Sequence, residues 1–188
     1  MADIPGFTMD GVLPAGDYEL SMAALRESPL VTGVGVSSAA WDSAWRLRLV
    51  ENLSIMVGQL VRVGVREIYI NGSFVEDKDH PNDIDGYFTC DVHELPTLVS
   101  ELNKLDPNKV WDWNPVTRKP YRNYPKAQLP MWHHYRVEFY PHYHQFSGIC
   151  DEFGHPQTFP AAFRRARRSG TPKGIVKIKI AGEHYDSK

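Results

Sequence analysis

The chain has 188 residues, 42% hydrophobic and 23% charged, the balance of an ordinary folded domain. That composition excludes wholesale disorder, a collagen repeat and a coiled coil, and no run approaches the roughly 18 apolar residues of a membrane span. A net charge of -2 argues against a dedicated DNA-coating protein, and the two cysteines, Cys90 and Cys150, are too few for a disulfide framework or a four-thiolate zinc site.

The two thiols fit a reducing cytosol. The opening MADIPGFTMDG lacks the basic start and apolar core of a secretory signal. A cytoplasmic chain with no membrane partner, folded as a single domain over 1–188, is therefore expected. Residues 1–36 are rich in Gly and Pro and read as an irregular arm, with a short helix near Ser21–Arg26. Over about Ser38–Val63, Trp41, Trp45, Leu49, Leu53, Met56 and Leu60 recur every three or four residues, which predicts a core-packing helix. Ser38 is its expected N-cap and Gly64 its stop, and Arg46, Arg48, Glu51 and Asn52 fall off the apolar stripe.

Arg66–Asn71 reads as a strand and Asp83–Thr89 as a second one. Asp91 is placed to cap the next helix with Glu94, and Leu95, Leu98, Leu102 and Leu105 supply its apolar face. Five prolines and interleaved Trp, Tyr, Lys and Arg predict a long aromatic and basic surface loop over 106–134. Tyr135–Tyr140 alternates as a strand. A basic helical turn at 163–168 and a closing strand at Ile175–Ile180 complete the chain. The fold expected is α/β (α+β), a small mixed sheet packed by two main helices.

Chemistry concentrates in Tyr69–Phe88. In a strand Asp83 and Asp85 share a face, roughly 6–7 Å apart. Two like charges that close raise one another's pKa unless a cation sits between them, and Mg²⁺ uses one or two carboxylates plus phosphate oxygens. Gly72 permits close backbone approach, and Ser73 adds a hydroxyl for an anion.

An apolar strand, Gly-Ser, nine intervening residues, Asp-x-Asp and a further apolar strand together resemble the signature of the polymerase-beta-like nucleotidyltransferase superfamily. Gly11–Pro14, the Gly72–Asp85 block and Pro172–Val176 also resemble a family of small uncharacterised bacterial and phage proteins assigned to it. The resemblance implies that Gly72 and Ser73, helped by Lys78, contact a nucleoside triphosphate. It implies that Asp83 and Asp85 hold Mg²⁺ or Mn²⁺, and that a third carboxylate comes from a later neighbouring strand. Glu138, between Val137 and Phe139, is the candidate. The implied reaction moves a nucleotidyl group from a nucleoside triphosphate such as ATP to a hydroxyl acceptor: an RNA end, a small molecule or a partner protein. The alternative is a binding module of the same fold, without turnover, in a toxin–antitoxin or phage-defence pair.

Two further signals compete. His142 and His144 align as a possible transition-metal pair within a late run of histidines, which also holds His133, His134 and His155. The 106–134 loop and the basic tail offer stacking and phosphate contacts to a nucleic acid.

Overall fold

Residues 4–167 and 169–180 are described by the structure, a computed structural model. In chain order the elements are β1 (Asp17–Leu20), α1 (Met22–Glu27), α2 (Pro29–Thr32), α3 (Ser43–Arg62), β2 (Ile68–Asn71), β3 (Ile84–Thr89) and α4 (Leu95–Leu105). There follow α5 (Pro130–Tyr135), β4 (Val137–His142), β5 (Phe146–Cys150), β6 (Pro156–Thr158), α6 (Phe159–Phe163) and β7 (Ile175–Ile178). A mixed five-stranded sheet runs β1-β7-β2-β3-β4, and β5 and β6 form a separate hairpin. The fold is thus α/β, as expected.

Strand alternation sorts the sheet into two faces. Ile68, Ile70, Ile84, Phe88, Val137, Phe139, Val176 and Ile178 are buried in one core with Leu49, Leu53, Met56 and Leu60 of α3. On the other face Tyr87 and Ile175 pack with Phe159 and Phe163 of α6, and Tyr69 and Tyr140 flank them. Asp85 and Glu138 belong by the same alternation to this second face. No described helix is long and apolar enough to cross a membrane.

Several expectations are corrected. The 1–36 arm is not irregular throughout: β1 lies at the sheet edge, parallel to β7 with Asp17 opposite Ile175. Helix α3 starts at Ser43, where Asp42, not Ser38, caps it by accepting from the Trp45 N–H. Arg46, expected off the stripe, is wholly buried. Its guanidinium lies 3.8 Å over the Trp41 ring. It donates to the carbonyls of Leu30, Phe74, Glu76 and Lys78 at 2.6–2.9 Å.

The 106–134 loop is likewise not all surface. Trp111 is buried and donates to Gln59 Oε1 at 2.7 Å, and Trp113 donates to the Phe139 carbonyl at 2.6 Å. Both rings plug the loop onto the core, and α5 follows with Pro130 in its first turn. Strand β4 begins at Val137, because α5 ends on Arg136 in the left-handed region at φ 55°. Near the tail, the helix ends at Phe163 rather than running through 163–168. Arg164 pairs with Asp17, and Arg168 lies outside the described residues.

Candidate active site

Each neighbour of Asp85 is set by strand register. Asp85 stands opposite Asn71 of β2 on one side and Glu138 of β4 on the other. Asp83 immediately precedes β3, two residues earlier, and so falls on the same face. The chain leaving β2 turns at once into a 3-10 segment, Gly72–Val75, in which Gly72 adopts φ +75°. A Cβ at position 72 would overlap Asp85 Oδ2, so only glycine lets this bend lie against the carboxylate.

Three distant stretches meet at this bend. Asn71 Nδ2 donates to the Gly174 carbonyl at 2.9 Å, and the Gly174 N–H donates to the Leu13 carbonyl at 2.8 Å. Lys173, only 4% exposed, donates through Nζ to the Gly72 carbonyl at 2.9 Å and pairs with Glu76 Oε1 at 2.6 Å. Gly11–Pro14 and Pro172–Val176, singled out in the sequence beside the Gly72 block, therefore wall the same bend.

The loop from Glu76 to Asn82 is fixed from the start of α3. Beyond the Arg46 contacts, Trp45 Nε1 donates to the Pro81 carbonyl at 2.6 Å and its ring stacks on His80. Lys78 offers its carbonyl to Arg46 while its side chain is exposed. The charge of Lys78 acts on Asp83, where it favours the ionised form. Ser73 is half-buried beside the bend.

Three carboxylates thus share one end of the second face, and their electrostatics reflect the crowding. Burial raises the Asp83 pKa and the Glu138 carboxylate adds to it, against a 2.7 Å hydrogen bond from Trp132 Nε1 and the charges of Lys78 and Arg136. Burial, then the Asp83 and Glu138 carboxylates, push Asp85 well above the usual range, opposed by the charges of Lys173 and Arg167. Glu138 accepts from the Leu129 N–H at 3.3 Å and from the Tyr140 hydroxyl at 2.7 Å.

Among the described residues no group of three or more His, Cys, Asp and Glu side chains is arranged to hold a metal ion. A closed protein cage is therefore not what this site offers. A hard dication held by two aspartates, with its other positions left to water and phosphate oxygens, needs no such group. Crowded acids with no ion pair among the described residues favour such a cation on charge grounds.

The histidine pair is placed elsewhere. The His142 and His144 rings lie 5.3 Å apart at the far end of β4. His142 Nδ1 is buried without a hydrogen-bond partner among the described residues. Burial and His144 lower its pKa.

Sequence reasoning missed two groups that shape the site. Trp132, read as part of a loop, is buried and holds Asp83. Arg46 holds the loop that carries Lys78. No local signal separated Arg46 from the exposed Arg48, which also lies between Trp45 and Leu49.

Residues 5–179 match a protein family described as a family of unknown function, DUF6932. Neither a curated protein nor a solved structure matches the chain.

Proposed function

The chain belongs to the DUF6932 family, and we propose that it is a Mg²⁺-dependent nucleotidyltransferase acting on a hydroxyl acceptor. One observation carries the reading: Asp83, Asp85 and Glu138 share one face of the sheet, Asp85 against the Gly72 bend and opposite Glu138, and none of the three is in an ion pair among the described residues. The resemblance of the Gly72–Asp85 block to polymerase-beta-like nucleotidyltransferases supports the same chemistry.

Asp83 and Asp85 would hold Mg²⁺, or Mn²⁺, with Glu138 opposite Asp85 on the next strand. Such an ion neutralises phosphate charge and lowers the pKa of the attacking hydroxyl. The triphosphate of ATP or another nucleoside triphosphate would lie against the Gly72 bend, where Ser73 and Lys78 would supply a hydroxyl and a charge to it. The acceptor oxygen bonds to the α-phosphorus, the bond from that phosphorus to the α–β bridging oxygen breaks, and pyrophosphate leaves. Glu138 takes the acceptor's proton. The reading implies the cytoplasm, where these substrates are supplied, and the free thiols of Cys90 and Cys150 accord with a reducing compartment.

A second reading draws on the hydrogen bonds that already engage Asp83 and Glu138. Under it the chain is a nucleotide- or partner-binding module of a toxin–antitoxin or phage-defence pair, without turnover. Incubation with labelled nucleoside triphosphates, Mg²⁺, and RNA, small-molecule and protein acceptors separates the two. Incorporation abolished by Asp83→Ala and by Asp85→Ala supports the enzyme. Nucleotide binding with no incorporation across those acceptors supports the module and refutes the enzyme.

A further inference from the structure

Beside the acids stands a segment of opposite character. From Trp113 to Val137 there are five cations, Arg118, Lys119, Arg122, Lys126 and Arg136, and no Asp or Glu, in a chain of net charge -2. Residues 119–128 close into a flap through paired hydrogen bonds, Lys119 N–H to the Gln128 carbonyl at 2.9 Å and the reverse at 2.8 Å.

The flap is anchored to the site through aromatic rings. Tyr121 and Tyr124 pack edge to face on Trp132, with centroids 5.0 and 5.3 Å away, and Trp132 holds Asp83. The Arg136 guanidinium lies 3.6 Å over Trp132 and 4.3 Å over Tyr121, and Arg122 lies 5.1 Å over Tyr121. Both arginines have left-handed backbones, φ 45° at Arg122 and 55° at Arg136, so the chain bears strain where it presents these charges.

None of the five cations forms an ion pair among the described residues, although the charge of Arg136 reaches Asp83. Opposite charges that merely solvated a surface would be free to pair. Here the acids and the bases stay unpaired with one another. A phosphate chain with a dication satisfies both sets at once.

A single triphosphate does not use the whole flap. The charges of Lys78 and Arg136 act on Asp83, whereas Arg122 lies over the Tyr121 ring and both it and Lys126 are exposed. Exposed cations interleaved along the chain with the half-buried Tyr121 and Tyr124 match a repeating phosphate and base pattern. Rings stack on unpaired bases at roughly 1–3 kcal/mol each, and a duplex offers none.

We propose that the 118–136 flap binds the end of a single-stranded nucleic acid and presents its terminal hydroxyl to the carboxylates as the acceptor. The acceptor role rests on the transferase reading above; the binding does not.

The test measures fluorescence anisotropy of a labelled single-stranded RNA of about 12 nucleotides, within the usual site size, on the full chain without Mg²⁺ or nucleotide. The same sequence as a duplex is the comparison. Expected are tighter binding of the single strand and an affinity that falls with salt. Arg122→Glu with Lys126→Glu should weaken binding at least tenfold and flatten the log–log salt slope by about 1.4, from two lost contacts at about 0.7 each. Both side chains are exposed, so an unchanged thermal melt shows that the variant is folded. Equal affinity for the duplex, no binding below about 100 μM against the 10⁻⁴–10⁻⁶ M usual for non-specific contact, or a double reversal without effect overturns the proposal. Strand binding without nucleotidyl incorporation into any of the RNA, small-molecule and protein acceptors refutes the enzyme and keeps the flap as a binding surface. Incorporation indifferent to the double reversal refutes the flap and keeps the enzyme.

Discussion

Replacing Gly72 by Ala tests the geometry at the centre of the site. Gly72 sits at φ +75°, where a residue bearing a Cβ loses about 1–2 kcal/mol. The new Cβ would overlap Asp85 Oδ2 and lie 3.0 Å from its Cγ and 3.1 Å from its Cβ. The carboxylate must then rotate away, and an off-rotamer side chain costs about 0.5–1.5 kcal/mol. Together the losses come to about 1.5–3.5 kcal/mol, or roughly 3–14 °C in Tm for a chain of this size. Calorimetric melts of Gly72→Ala, Asp85→Ala and the double variant separate the two contributions. The backbone cost persists without the carboxylate and the rotation cost does not, so Gly72→Ala should cost about 0.5–1.5 kcal/mol less in the Asp85→Ala background. Effects that add to within about 0.3–0.5 kcal/mol would refute contact between Gly72 and Asp85.

Arg46→Met should cost at least about 3 kcal/mol in urea unfolding, since four carbonyls lose a charged donor; a loss under about 1 kcal/mol would contradict its role as the anchor of the 74–78 loop. Trp111→Phe should cost about 1–3 kcal/mol by leaving the buried Gln59 Oε1 without its donor, and a neutral change would show the loop is not pinned there. The folded-state pKa of Asp85 is raised, so the folded protein holds that proton more tightly than the unfolded chain. Its contribution is therefore favourable below the ordinary carboxylate range and is lost as pH rises through the raised value. Melts between about pH 4 and 8 should show Asp85→Asn gaining stability over the parent as pH rises. Added Mg²⁺ should stabilise the parent more at the upper end than the lower; a pH-independent difference contradicts the crowding of these acids.

Local patterns were legible and long-range ones were not. The Trp45–Leu60 stripe needs only helical periodicity, and it gave α3 and its stop at Gly64. That the acids share a face was legible because alternation along a short strand fixes which way Asp83, Asp85 and Glu138 point, and register then sets Glu138 opposite Asp85. Strand β1 was not legible, because its partner β7 lies far along the chain and Gly and Pro flank it. Helix α5 was hidden because Pro130 was read as a breaker, whereas in a first turn proline lacks only an N–H that would go unused. Arg46 looked like a solvated residue because the four carbonyls that satisfy it come from loops elsewhere in the sequence. Trp132 was hidden for the same reason, since its partner Asp83 is 49 residues away.

The central claim is that Asp83 and Asp85, beside the Gly72 bend, hold a metal-bound nucleoside triphosphate. A crystal structure with Mg²⁺ and a non-hydrolysable triphosphate examines it most directly. The account predicts an ion shared by the two aspartates, with the triphosphate against Gly72 and Ser73. Nucleotide bound at another surface, with Asp83 still on Trp132, Glu138 still on Tyr140 and no ion between the aspartates, would contradict it.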